Sequence, residues 1–150
     1  MRTVSKTVIG VDFGTQSARA VLVNAENGEI IYSCRKEYPY NSTPVPAIDC
    51  AENLPCATDY EMTLYELLRN VIPEEYRKTV AGICVDATSL TMVLLAEDGR
   101  ALSELDGWSE AAHARVKLWK YHRAQEKADE ALNLARNLQE PFLGRTGGIN

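Results

Sequence analysis

Val8-Ile9-Gly10-Val11-Asp12-Phe13-Gly14-Thr15-Gln16-Ser17-Ala18-Arg19-Ala20 is the stretch whose reading decides the fold. It begins in the β-branched apolar run Thr7 to Val11, the pattern of a buried strand. Asp12 to Ser17 supplies turn residues, and Ala18 to Asn24 returns to a strand pattern. Asn27-Gly28 marks a second reversal, because both residues tolerate positive φ, and Ile30 to Glu37 follows as a third strand. The chain therefore opens with three antiparallel strands, expected near residues 7–12, 18–24 and 30–37.

Beyond them, Tyr38 to Ala57 carries Pro39, Pro44, Pro46 and Pro55 and reads as a long loop. Thr58-Asp59-Tyr60-Glu61 has the spacing of a capping box, with the Thr58 hydroxyl and the Glu61 carboxylate serving each other's N–H. The helix it predicts places Tyr60, Leu64, Leu67, Leu68 and Val71 on one face and stops at Pro73. Val80 to Val85 is a buried-strand pattern. Leu90 to Ala96 predicts a further strand, closed by the turn pair Asp98-Gly99. Ser109 to Leu138 predicts two helices, with Ala124, Ala128, Ala131 and Ala135 at helical spacing. Pro141, Gly144, Gly147 and Gly148 mark a closing loop.

Composition narrows the class. With 150 residues, 45% hydrophobic and 25% charged, the chain is an ordinary globular sequence and not a disordered or low-complexity one. At this size roughly 68–70% of the unfolded surface can be buried, enough for one core. A net charge of −5 argues against nucleic-acid and anionic-membrane partners. No apolar run approaches the roughly 20 residues that span a bilayer, and Met1-Arg2-Thr3-Val4-Ser5-Lys6 has no signal-peptide pattern. A cytoplasmic location is expected. Cys34, Cys50, Cys56 and Cys84 form no Cys-x-x-Cys pair; Cys84 reads as a small core residue, and reduced thiols suit the cytosol. Cys50 and Cys56 share a loop, but both histidines are distant in sequence.

The opening stretch also carries chemistry. A strand ends in Asp12, and a Gly-Thr-x-Ser turn leads into the next strand. Gly14 permits a backbone conformation closed to other residues. The N–H groups of Thr15, Gln16 and Ser17 can then converge as an anion nest, with the Thr15 and Ser17 hydroxyls as further donors. Arg19 offers countercharge, and Asp12 can hold a divalent cation through water. On spacing alone a plain hairpin, whose Asp and Thr satisfy the turn, is an equal alternative. A Walker loop is excluded, because no Gly-Lys-Ser/Thr precedes a helix. Asp12-Phe13-Gly14 also spells the protein-kinase metal triplet, but eleven preceding residues cannot contain the other kinase motifs. Asp86-Ala87-Thr88-Ser89 follows a strand, where α/β folds place ligand contacts; a turn capped by Asp86 is the alternative. Leu118 and Trp119 read as core residues, and Lys117, Lys120 and His122 as the solvated face of a helix.

Three segments together resemble one family. Ile9 to Ala20 resembles the first phosphate motif of the FGGY carbohydrate kinases, in their ribulokinase-like branch. Val80 to Ser89 resembles the segment of these kinases that reaches the sugar pocket, and Val116 to His122 their Leu-Trp-Lys-x-His helix. The resemblance implies an α/β, actin-like (ribonuclease-H-like) fold, here a partial first lobe with a mixed sheet and flanking helices. It implies ATP-dependent phosphorylation of a ketopentose or related sugar or polyol hydroxyl, with magnesium. Asp12, Gly14, Thr15, Gln16, Ser17 and Arg19 would bind ATP phosphate, Asp12 would hold the metal through water, and Asp86, Ala87 and Thr88 would line the sugar pocket. The family's catalytic aspartate, in a Gly-Asp motif further along, has no counterpart in residues 1–150, so a truncated N-terminal domain, inactive alone and able to self-associate as a homo-oligomer, is expected. Two further departures, Cys56-Ala57-Thr58 in place of Gln-x-Pro and Leu90 after Ser89, leave the sugar open. A non-catalytic nucleotide- or partner-binding module is the second reading; an Hsp70-like or actin-like ATPase is disfavoured by the second and third motifs.

Overall fold

The computed structural model describes residues 5–39, 55–109, 111–119 and 122–146. Four strands form one sheet: β1 (Thr7–Phe13), β2 (Ser17–Asn24), β3 (Ile30–Glu37) and β4 (Val80–Ala87), in the order β3-β2-β1-β4. β1 and β2 pair antiparallel, as do β2 and β3; β4 joins β1 in parallel, which makes the sheet mixed. α1 (Ala57–Val71) lies between β3 and β4 in the chain. The chain divides into two compact units, residues 1–119 and 120–150. The second unit contains α2 (Gln125–Asn137) and the short α3 (Leu143–Thr146).

The core of the first unit follows from strand alternation. Thr7, Ile9 and Val11 of β1 and Ala18, Ala20 and Leu22 of β2 point to one face and are buried; Val8 and Arg19 point to the other. The small side chains of Ala18 and Ala20 leave room for α1, which closes that face with Leu67 and Val71. Tyr60, Leu64 and Leu68 are half-buried against the same cluster, so the apolar stripe expected of this helix is the one that packs. β4 is different. Ile83 and Val85 sit level with Ile9 and Val11 on the same face, yet remain more than half exposed, because β4 is the outer strand of the sheet.

Several expectations are corrected. The capping interaction lies two residues earlier than the sequence spacing predicts. Cys56 is the N-cap, and the Asp59 carboxylate accepts the Cys56 N–H at 2.9 Å, while the Thr58 hydroxyl donates to Glu104 at 3.1 Å. The reversal after β2 is a wider turn, in which Gly28 alone takes positive φ (+75°) and Asn24 closes on Glu29. Leu90 to Ala96 is not a strand. Leu90 adopts a left-handed φ of +58°, and the segment makes only single bridges, Met92 to Lys117 and Leu95 to Ala101. The turn at Asp98-Gly99 is present, with Gly99 at φ +85°.

Among its described residues, Ser109 to Leu138 gives one α-helix rather than two. Ala112–Ala114 is a single 3₁₀ turn, and Arg115 after it is extended; Ala114, Arg115, Val116 and Leu118 are buried, and Met92 bridges to Lys117. An extended path takes the place of the helix that alanine content suggests. Helix begins only at Gln125, after the 3₁₀ turn His122–Ala124. Residues 143–146 form α3 where a loop was expected. Most of the Pro-rich segment, Cys50, Lys120, Tyr121, Gly147, Gly148 and Asn150 lie outside the described residues.

Candidate functional site

The turn between β1 and β2 is tight and held from several sides. The Gly14 N–H donates to the Ser17 carbonyl at 3.0 Å. A Cβ on Gly14 would stand 3.0 Å from that same carbonyl oxygen, so any larger residue requires the turn to shift by a few tenths of an ångström. Gly14 is not among the glycines with a left-handed φ, so its close contact with Ser17 is what distinguishes it. Tyr38 is almost fully buried; its hydroxyl donates to the Gly14 carbonyl at 3.0 Å and its backbone N–H to the Gln16 carbonyl at 3.2 Å. The Trp119 indole N–H donates to the Thr15 hydroxyl at 3.1 Å. The Ser17 hydroxyl accepts from Arg35 Nε at 2.9 Å.

Strand register sets the charges beside this turn. Asp86 of β4 is level with Asp12 of β1, Asp12 with Arg19 of β2, and Arg19 with Arg35 of β3. One row across the sheet therefore runs from two carboxylates to two guanidiniums on the face opposite α1. Asp12 and Arg19 meet at 3.3 Å, with side chains 45% and 67% exposed. Such a solvated pair contributes at most about 1 kcal/mol to stability and leaves both charges accessible. A groove of about 400 Å³ runs along the row, lined by Gly10, Asp12, Arg19, Val21, Cys84 and Asp86. Hard carboxylate oxygens at one end of an open groove suit magnesium, which keeps most of its water and takes one or two carboxylates together with phosphate. Among the described residues no group of three His, Cys, Asp or Glu stands ready to hold a dehydrated metal.

The Asp86-Ala87-Thr88 segment divides between the two faces of the sheet. Asp86 lines the charged groove, and its carboxylate also accepts the Ala87 N–H at 2.9 Å, so the turn-capping alternative holds as well. Ala87 and Thr88 line a second cavity of about 190 Å³ with Phe13, Gly14, Tyr60, Thr91 and Val93. Both the N–H and the hydroxyl of Thr88 donate to the Phe13 carbonyl, at 2.9 and 3.0 Å. Residues some 70 positions apart are thus tied at the base of one turn.

Three further expectations change here. Trp119 is not core: it is 60% exposed and reaches the turn, while its neighbour Leu118 is buried. Cys84 is exposed. Lys117 is not on a solvated helix face; its ammonium donates to the carbonyls of Ala112 and Arg115, and burial pushes its pKa down. Arg115, itself buried, donates to Cys56 Sγ at the start of α1. Burial raises the Cys56 thiol, outweighing the pull of the Arg115 charge, and burial also raises Asp59. Tyr38 and Arg35 are the site neighbours that the sequence did not single out, and Trp119 was read as core rather than as a neighbour of the turn. The only signal was the register: Arg35 falls opposite Arg19 once β2 and β3 are paired.

Solved sugar kinases share this fold. Xylulose kinase from Bifidobacterium adolescentis superposes with a TM-score of 0.62 at 18% identity, over 93% of this chain and 22% of that one. Gluconate kinase from Lactobacillus acidophilus gives 0.60 at 18% identity, over 89% and 24%. These define the class: the fold is that of the actin-like sugar kinases. Sequence similarity is closer to ribulokinases. The chain is 34% identical to ribulokinase from Mycolicibacterium smegmatis, covering 96% of this chain and 27% of the relative. It is 39% identical to ribulokinase 1 from Staphylococcus saprophyticus, covering 93% and 27%. No family model matches the chain. The chain is thus similar, over nearly its whole length, to the N-terminal part of the ribulokinase-like branch of the FGGY carbohydrate kinases, and it spans about a quarter of the length of the relatives it matches.

Proposed function

We propose that residues 12–19 are the phosphate-binding loop, and Ala87 and Thr88 part of the sugar pocket, of an ATP-dependent sugar kinase acting on a ketopentose or related polyol hydroxyl. The observation that carries this is the junction at Phe13, where Thr88 is hydrogen-bonded to the base of the turn and Gly14 lines the cavity of Ala87. A phosphoryl donor bound at the turn and an acceptor hydroxyl in that cavity would be neighbours, which is what phosphoryl transfer demands of its site. Thr15, Gln16 and Ser17 supply donors around the turn, and Arg19 the positive charge. Asp12, with Asp86 beside it in register, would hold a hydrated magnesium ion, which supplies charge neutralisation of the phosphates when bound. Asp86 contributes to the charged groove more than to the sugar cavity.

Transfer itself is assigned to the longer protein that the relatives represent, because this chain spans 27% of their length. Alone it would bind without turning over, since one wall does not enclose a water-poor cleft. No described helix is long and apolar enough to cross a membrane. The free thiols of Cys34, Cys56 and Cys84 support a cytoplasmic location.

The test is a thermal-shift and ADP-release series with magnesium, ATP and a panel of ketopentoses, pentitols and glycerol. Stabilisation by Mg·ATP, lost in Thr15→Ala, together with sugar-dependent stabilisation by ketopentoses, supports the assignment. Absence of any nucleotide effect overturns it. Sugar-dependent turnover near 1–100 s⁻¹, ordinary for kinases, would overturn the claim that the chain alone is inactive.

A further inference from the structure

Tyr38 touches the turn at two alternate peptide planes. Its hydroxyl donates to the Gly14 carbonyl and its backbone N–H to the Gln16 carbonyl, at 3.0 and 3.2 Å. In a trans peptide the carbonyl and the following N–H point in opposite directions. With the Gly14 carbonyl turned toward Tyr38, the Thr15 N–H is turned away from it. With the Gln16 carbonyl turned toward Tyr38, the Ser17 N–H is turned away likewise. One residue thereby sets the direction of both amides, and the Gln16 N–H belongs to the peptide between them.

The side chain is built to stay where it is. Tyr38 is 2% exposed. Its ring lies 4.8 Å from that of Tyr60 on α1, and Tyr60 in turn meets Phe13 edge-on at 6.0 Å. The aromatic column joins α1 to the end of β1, immediately below the turn. A phenol fixed by packing is a better anchor for a carbonyl than water, because it cannot reorient when an anion arrives. Donors held in place before binding are what makes electrostatic stabilisation of phosphate effective.

We propose that Tyr38 is a positioning residue of the phosphate loop, holding the Gly14 and Gln16 carbonyls inward so that the Thr15 and Ser17 amides face the anion. It rests on the loop assignment made under Proposed function and adds to it a residue outside the sequence motif.

The experiment is isothermal titration of wild-type protein and Tyr38→Phe with Mg·ATP and with magnesium tripolyphosphate, which has no nucleoside. Phenylalanine keeps the ring contacts and removes the hydroxyl. Loss of one hydrogen bond predicts roughly fivefold weaker binding of both ligands, with the urea midpoint lowered by about 0.3–1 M, the effect of that single bond on an otherwise intact core. Equal affinities in wild type and variant overturn the role of Tyr38 and leave the loop assignment standing. No binding by wild-type protein overturns both. Independently of the variant, a wild-type amide titration with tripolyphosphate must shift Thr15 and Ser17 more than Gln16; equal shifts at all three contradict the alternation.

Discussion

Gly14→Ala places one methyl group against a backbone oxygen. The added carbon would lie 3.0 Å from the Ser17 carbonyl oxygen, and ordinary contact begins near 3.4 Å, so something must move by about 0.4 Å. The Ser17 oxygen is also the acceptor of the Gly14 N–H, so it cannot retreat without lengthening that 3.0 Å hydrogen bond. Overpacking typically costs about 1–3 kcal/mol, and a weakened hydrogen bond adds up to about 1 kcal/mol. Gly14→Val, branched at Cβ, should lie at the upper end of that range. Thr15→Ala removes the acceptor of the Trp119 indole, a loss of about 0.5–1.5 kcal/mol. The expected order of destabilisation is Gly14→Val, then Gly14→Ala, then Thr15→Ala. Urea unfolding followed by tryptophan fluorescence reads it, and Trp119 beside the turn makes the probe local. Nucleotide affinity should fall in the same order, because the amides that face the anion belong to the same peptides. A Gly14→Val protein with wild-type stability and wild-type nucleotide affinity would refute the argument and make the turn an ordinary hairpin.

Three other outcomes follow from particular residues. Leu90 is 79% exposed and holds a left-handed φ of +58°. Leu90→Gly should therefore raise thermal stability by about 1 kcal/mol through strain relief, and a loss of stability would mean that the leucine packs. Burial raises the Asp59 pKa, so the fold retains this proton more tightly than the unfolded chain does. This group's contribution is then present at low pH and lost as the pH rises through its folded pKa, above the ordinary aspartate range. The wild-type minus Asp59→Asn difference in unfolding free energy should decline across that window; a difference that grows with pH would reverse the assignment. β4 is an open edge with half-exposed Ile83 and Val85. Val85→Lys should reduce self-association in sedimentation velocity, and unchanged association would locate the contact elsewhere.

The sequence made the sheet legible where both periodicity and punctuation agreed. β1, β2, β3 and β4 fall within one or two residues of expectation, and the Leu67–Val71 stripe of α1 packs as its spacing predicts. It failed where two local signals competed. Leu90 to Ala96 is apolar enough for a strand, but the left-handed turn at Leu90 breaks the run, and among the described residues no strand pairs with the outer edge of β4. Ala111 to Ala114 suggests helix by content, whereas Arg115 is extended and Lys117 bridges to Met92, which depends on contacts that local sequence does not encode. Asp12, Gly14 and Arg19 were legible as a motif. Tyr38, Arg35 and Trp119 were not, because each reaches the turn through strand register or a loop path that local sequence does not encode.

The central claim is that the β1–β2 turn is a phosphate site. It is tested most directly by following the backbone amides of ¹⁵N-labelled protein during titration with Mg·ATP, with adenosine as the phosphate-free control. Saturable shifts centred on residues 14–17 and Arg19 with Mg·ATP, and none at those positions with adenosine, are the predicted result. Shifts centred elsewhere, or none at saturating Mg·ATP, would contradict it.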